Sequence, residues 1–158
     1  CKSQANAPCQ NREVRQGFLH VCSLTGLKGR WQKISEAPLT ICDTGHNVPG
    51  WLYLSEQLKN IKCDHMHIVF GMVNDKDLHG VMDLLPKNAT YYFTKANNKR
   101  AVSENVLKIY AQGIGLQGES YPNVKSAYDA AKTAAATSDF VFVGGSSYVV
   151  ADLLKNCI

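Results

Sequence analysis

Apolar positions recur along this chain in two alternating rhythms. One consists of short runs of four or five, and in the other apolar residues return every three or four positions. The runs at 39–42, 66–70, 90–93 and 140–143 have strand length and favour β-branched and aromatic side chains. After the first, Trp51, Leu54, Leu58 and Ile61 fall on one helical face; after the second, Leu78, Val81, Met82 and Leu85 do the same, up to Pro86. Val102, Val106, Leu107 and Tyr110 mark a third helix. A fourth, over 124–136, carries Ala127, Ala130, Ala131, Ala134 and Ala135, which permit close packing on a sheet. The segment 114–117 reads as a further short strand and 148–154 as a closing helix. Ahead of all these, Val14, Phe18, Val21 and Cys22 predict a lead-in helix, broken by Thr25, Gly26 and Gly29.

Strands alternating with helices of about ten residues call for an α/β fold with a mostly parallel sheet of about five to six strands and helices on both faces. Such a Rossmann-like sheet binds ligands beyond the carboxyl ends of its strands. Chemistry is therefore expected in the loops after Cys42, Phe70, Phe93 and Val143.

Composition narrows the partners. With 158 residues, 45% of them hydrophobic, the chain can build one well-buried core. Its 17 Lys and Arg against 13 Asp and Glu are scattered, which argues against a nucleic-acid face, and the densest run, at 95–100, reads as a solvated loop. No stretch approaches the roughly 20 apolar residues that span a membrane, so no membrane partner is expected. The six cysteines, Cys1, Cys9, Cys22, Cys42, Cys63 and Cys157, lack zinc-type spacing. Cys42 and Cys63 lie in or beside apolar runs that suit buried thiols, so a reducing, cytoplasmic setting is expected. Cys1 fits either a lipoprotein's lipidated cysteine or a stretch cut from a longer gene, and the second is favoured.

Four loops carry polar groups worth weighing. Asp43, His46 and Asn47 follow the first run, where they either hold a ribose or phosphate or cap the next helix. Arg30 stands between Gly29 and Trp31; its guanidinium suits phosphate, or is simply solvated beside a buried tryptophan. Lys76 is the one residue of the 71–77 loop favoured as an anion contact, since Asp75 and Asp77 are explained by capping. Gly144, Gly145, Ser146 and Ser147 join the last strand to a helix, and offer either a carboxylate site or an N-cap.

Other patterns fail on context. Residues 113–118 match GxGxxG, yet they follow a helix and run into Glu119 and Pro122, so a dinucleotide loop is rejected. His65 and His67 have no acidic or cysteine partner at metal-binding spacing and read as edge residues; no metal site is expected. There is no GxxxxGK[ST] phosphate loop and no arrangement announcing a nucleophile, which excludes a self-sufficient P-loop kinase or ATPase.

Six blocks taken in order carry a resemblance: GRWQ at 29–32, ICDTGHN at 41–47, VFGMVNDKD at 69–77, LLP at 84–86, YYFT at 91–94 and VFVGGSSYVV at 141–150. Together they resemble the C-terminal domain of folylpolyglutamate synthase and dihydrofolate synthase, within the Mur ligase superfamily, over about 13–155. Against the common DGAHNP pattern, Thr44, Gly45 and Val48 differ, while Asp43, His46 and Asn47 are kept; the departures bear on loop shape.

The resemblance implies an ATP-dependent ligase. In that family a folate or pteroate carboxylate is phosphorylated to an acyl phosphate, which the amine of L-glutamate attacks. The P-loop and most magnesium ligands lie in a preceding central domain. On this reading 1–28 is a lead-in helix and linker from that missing domain, and 29–158 the C-terminal, glutamate-ligase domain. By similarity Arg30 contacts phosphate and Asp43 the ribose, with Asn47 on the nucleotide side. His46 and Ser146 lie where nucleotide and glutamate meet, and Lys76 is a candidate for glutamate's carboxylate. ATP and Mg2+ then serve the full-length enzyme, with neither held tightly by this domain alone, and the domain is expected to be monomeric and inactive by itself. Two alternatives stand beside it: a stand-alone adenine-nucleotide-binding module, and the matching domain of a peptidoglycan Mur ligase.

Overall fold

The structure, a computed structural model, describes residues 29–74 and 76–158. The expected lead-in helix, Cys1, Cys9, Cys22 and Asp75 lie outside the described residues.

Eleven elements follow one another: β1 (Gln32–Glu36), β2 (Leu39–Asp43), α1 (Val48–Lys59), β3 (Met66–Phe70), α2 (Leu78–Met82), β4 (Ala89–Phe93), α3 (Glu104–Gly113), β5 (Gln117–Ser120), α4 (Val124–Ala134), β6 (Phe140–Gly144) and α5 (Ser147–Asn156). They form one six-stranded sheet in the order β1-β2-β6-β3-β4-β5. All neighbours pair in parallel except β1, which is antiparallel to β2 and bulged between Lys33 and Ser35.

Alternate side chains of each strand point to opposite faces. One face collects Ile41, Ile68, Phe70, Tyr91, Phe93, Phe140 and Phe142 against Trp51, Leu54 and Leu58 of α1, Val81 and Met82 of α2, and Leu107 and Ala111 of α3. The other collects Cys42, Val69, Tyr92, Val141 and Val143 against α4 and α5, where Ala127, Ala131, Val149 and Leu153 sit fully buried or nearly so. Strands covered on both faces need apolar residues at every position, which is why they read as unbroken runs. Phe142 links core to site, with its ring 5.8 Å from Trp51 and 6.2 Å from Trp31.

Several boundaries differ from expectation. Strand β1 has no apolar run, because it is a half-buried edge. The 114–117 segment begins as a turn, and the strand lies at Gln117–Ser120. Helix α2 ends at Met82 rather than running on to Pro86, with Leu84 and Leu85 continuing in turns. The 113–118 glycine pattern closes α3 and enters β5, as no dinucleotide loop does. Cys42 is buried and Cys63 and Cys157 half-buried, none of them in a disulfide. Among the described residues no helix is long and apolar enough to cross a membrane.

His67 also departs from expectation: β3 is an interior strand, and the ring is 5% exposed. Its Nδ1 lies 2.9 Å from the Tyr92 hydroxyl and its Nε2 3.1 Å from Asp139 Oδ2. Asp139 also accepts the Ala136 N–H at 2.9 Å. That amide, and then His67, hold the Asp139 carboxyl below its ordinary range. The cluster ties β3, β4 and the approach to β6 together at the amino ends of the strands, away from the loops expected to carry chemistry.

A carboxyl depressed in the folded state stabilises the fold above its unfolded pKa and loses that contribution as pH falls through the folded value. Thermal melts from about pH 6 down to about pH 2 should therefore show a steeper acid loss in the wild type than in Asp139→Asn, and parallel curves would contradict the assignment. In the core, Phe142→Ala should cost about 3–5 kcal/mol by denaturant unfolding, and a loss under about 1 kcal/mol would show that the ring is not a packing centre.

Candidate functional site

Asp43, Gly144 and Phe70 stand in register at the carboxyl ends of β2, β6 and β3. Strand β6, last of the six in sequence, is inserted between β2 and β3, so the loops leaving these three strands crowd one rim. This is where an open α/β sheet offers a crevice.

A cleft of about 170 Å³ opens there, lined by His46, Val73, Lys76, Arg100, Ser146 and Tyr148 among others. Each side chain has a local reason for its place. Gly145, at φ +105°, turns the chain so tightly that an added Cβ would lie 2.3 Å from the Gly71 carbonyl oxygen. This brings Ser146, 2% exposed, to the start of α5, where its Oγ accepts the Val149 N–H at 3.2 Å. The capping reading of Ser146 is thus realised, and the residue lines the cleft as well. His46 sits three residues past β2 with Nδ1 3.0 Å from the Thr44 carbonyl oxygen. A carbonyl only accepts, so Nδ1 carries the proton and Nε2 of the neutral ring is left as the acceptor. Lys76 precedes α2, whose N-cap Asp77 accepts the Gly80 N–H at 2.9 Å.

Arg100 and Tyr148 are cleft residues that the sequence reading missed. The 97–101 loop folds back onto the segment after β3. The Asn74 N–H donates to the Arg100 carbonyl and the Val102 N–H to the Met72 carbonyl, both at 2.8 Å. The Asn98 side chain accepts the Arg100 N–H at 2.8 Å, and the guanidinium donates to the Tyr148 hydroxyl at 2.6 Å. One signal was available: this loop leaves the carboxyl end of a strand, the place where the fold rule puts chemistry. Charge alone, in a run of this kind, reads as solvation.

Arg30, on the neighbouring turn, lies near Asp43 at the end of β2. Asp43, 7% exposed, accepts the Trp31 N–H through Oδ2 and the Gly45 N–H through Oδ1, each at 2.7 Å. Burial pushes its carboxyl up, while the two amides and the nearby Arg30 charge pull it down, leaving it raised. Asn47 is exposed and caps α1, accepting the Gly50 N–H at 2.9 Å. It does not line the cleft.

A wider depression of about 850 Å³ lies between the 95–101 loop, the start of α4 and α5. Two of its lysines are already committed, Lys95 to Glu104 at 3.8 Å and Lys125 to Asp129 at 2.6 Å. The larger depression is polar as well, but none of its lining comes from the loops after β2, β3 and β6 that meet at the rim. Among the described residues no group of three or more His, Cys, Asp or Glu converges to hold a metal ion.

Known proteins resemble this chain in sequence and in fold. Residues 29–147 match the family model described as "Mur ligase, glutamate ligase domain". A dihydrofolate synthase/folylpolyglutamate synthase of Buchnera aphidicola subsp. Schizaphis graminum is 32% identical over 82% of this chain, which spans 31% of that protein's length. Escherichia coli FolC in complex with DHPP and ADP superposes with a TM-score of 0.74 at 32% identity, covering 82% of this chain and 31% of that one. A bifunctional folylpolyglutamate synthase/dihydrofolate synthase with Mn, AMPPNP and L-glutamate bound gives 0.72 at 28% identity, over 97% of this chain and 36% of that one. A family match over residues 29–147, most of the described residues, places this chain in the Mur ligase glutamate ligase domain family.

Proposed function

We propose that this chain is the C-terminal domain of an ATP-dependent ligase of the folylpolyglutamate synthase/dihydrofolate synthase type. That enzyme activates a folate or pteroate carboxylate as an acyl phosphate and joins it to the amine of glutamate. The observation that carries this reading is the cleft itself, with two cations, Lys76 and Arg100, an imidazole, His46, and a buried hydroxyl, Ser146, around a space on the scale of one amino acid. Glutamate carries two carboxylates and one ammonium group. Lys76 and Arg100 suit the carboxylates, and His46 Nε2 suits a proton of the ammonium group, which must lose one before the nitrogen can attack. Relatives bearing these names, one of them with L-glutamate bound, support the folate branch over a peptidoglycan ligase.

Arg30, on the adjoining turn, and Asp43, at the end of β2, form the nucleotide side of the same rim. The triphosphate cradle and the Mg2+ ligands belong to a preceding central domain, with 1–28 as the approach from it. Mg2+, when bound there, would neutralise phosphate charge. What this domain adds is glutamate positioning, an arginine for the nucleotide, and a wall that excludes water from a hydrolysable acyl phosphate when the two domains close. On this reading the protein is cytoplasmic and the domain monomeric, with no nucleic-acid partner.

Two outcomes follow. The isolated chain should show no ATP-dependent glutamate addition, and measurable turnover by purified material would contradict the half-site reading. In the full-length polypeptide, Arg100→Ala should raise the KM for glutamate about tenfold or more and leave the KM for ATP nearly unchanged. Equal changes in both constants would remove Arg100 from the amino-acid cleft.

A further inference from the structure

Residues 94–103 join β4 to α3, and apart from one bridge between Ala101 and Val73 they belong to no strand or helix. Ordering such a connection costs backbone entropy, so a side chain it carries keeps one place only where the loop is tied down. Its two ends are tied toward β3. The Thr94 N–H donates to the Phe70 carbonyl at 2.9 Å, and the 72–74 segment pairs with Arg100 and Val102. The middle is tied to α5 instead. Ala96 is buried in the layer that α5 covers, and the Asn97 N–H donates to Asp152 Oδ2 at 2.7 Å. From Asn97 a tight turn leads to Arg100. In it the Asn98 N–H donates to the Ala96 carbonyl at 2.8 Å, while Asn98 accepts the Arg100 N–H through Oδ1 and the Ala101 N–H through its carbonyl at 3.1 Å.

Asp152 lies one helical turn beyond Tyr148, on the same face of α5. The helix therefore grips the loop twice, at the Arg100 guanidinium through the Tyr148 hydroxyl and at the backbone three residues earlier through Asp152. The two grips face different cavities. Tyr148 lines the small cleft together with Arg100, whereas Asp152, half-buried, lines the wider depression and not the cleft. Electrostatics gives no reason for an acid there, since a carboxylate near a site for a dicarboxylic amino acid repels the ligand. Geometry does, because the acid holds a loop amide that no strand takes up.

We propose that Asp152 is a positioning residue for the amino-acid cleft: by holding the Asn97 amide against α5 it fixes the 97–100 turn, and with it the place of Arg100, without contacting the amino acid. This rests on the ligase reading above, in which Arg100 meets a glutamate carboxylate, and extends the site to a residue outside the cleft.

In the full-length polypeptide, Asp152→Ala should raise KM for glutamate about fivefold, the worth of one such hydrogen bond, and leave KM for ATP at its wild-type value. Asp152→Asn is equally uncharged but keeps an oxygen for the Asn97 N–H, and should stay within about twofold of wild type. Loss of charge alone would lower KM for an anionic substrate in both variants alike, so the sign and the split between them separate the latch from the field. Amide exchange at Asn97 should speed up in Asp152→Ala and not in Asp152→Asn. Added to Arg100→Ala, Asp152→Ala should have no further effect, which a general loss of packing would not reproduce. A wild-type KM for glutamate in Asp152→Ala, an equal rise in KM for ATP, or a rise that multiplies with that of Arg100→Ala would overturn the proposal. Arg100→Ala with an unchanged KM for glutamate would instead sink the cleft reading on which it rests.

Discussion

One buried carboxylate organises the carboxyl edge of this domain. Asp43 ends β2 and accepts one backbone amide from the turn before β1 and another from the loop after β2. Removing a carboxylate from water is costly, and charge-assisted hydrogen bonds to fixed amides offset that cost only if both loops keep their shape. The cost thus couples two segments that one backbone bond, from the Thr44 N–H to the Gly29 carbonyl, also joins. The 44–47 loop is fixed further by Trp51, whose indole N–H donates to the Gly45 carbonyl at 3.1 Å while its ring packs edge-on against Phe70 and Phe142. His46 inherits its position from that loop, and Arg30 from the turn.

The sheet order completes the arrangement. Because β6 is inserted between β2 and β3, the loop carrying Ser146 emerges between the loops carrying His46 and Lys76. Arg100 arrives from one strand further along, drawn in by backbone pairing with the segment after β3. Stability is built elsewhere, in the two aromatic and aliphatic layers and in the His67 cluster at the amino ends of the strands. Loops at the carboxyl edge are therefore free to carry charge.

Much of this was legible in the sequence, and for a physical reason. Parallel strands buried on both faces must be apolar throughout, so β2, β3, β4 and β6 announce themselves, and the helices between them show three-and-four spacing because only one stripe is buried. What could not be read is what depends on distant pairing. Gln32–Glu36 has the composition of a loop and becomes a strand only because β2 offers an open edge. Arg100 sits in a charged run that means solvent until residues 72–74 pair with it. Asp43, His46, Lys76 and Ser146 were nameable from residue type at strand ends and from the family resemblance. The left-handed backbone of Trp31, at φ +43°, and the double commitment of Asp43 were not, because neither leaves a mark in composition or period.

Amide hydrogen exchange at Trp31 and Gly45 tests the organising role of Asp43 most directly. If the carboxylate holds both amides, each should exchange as slowly as the amides of β2 and β6, and both should speed up together in Asp43→Ala. Loop-like exchange at either position in the wild-type protein would contradict the account.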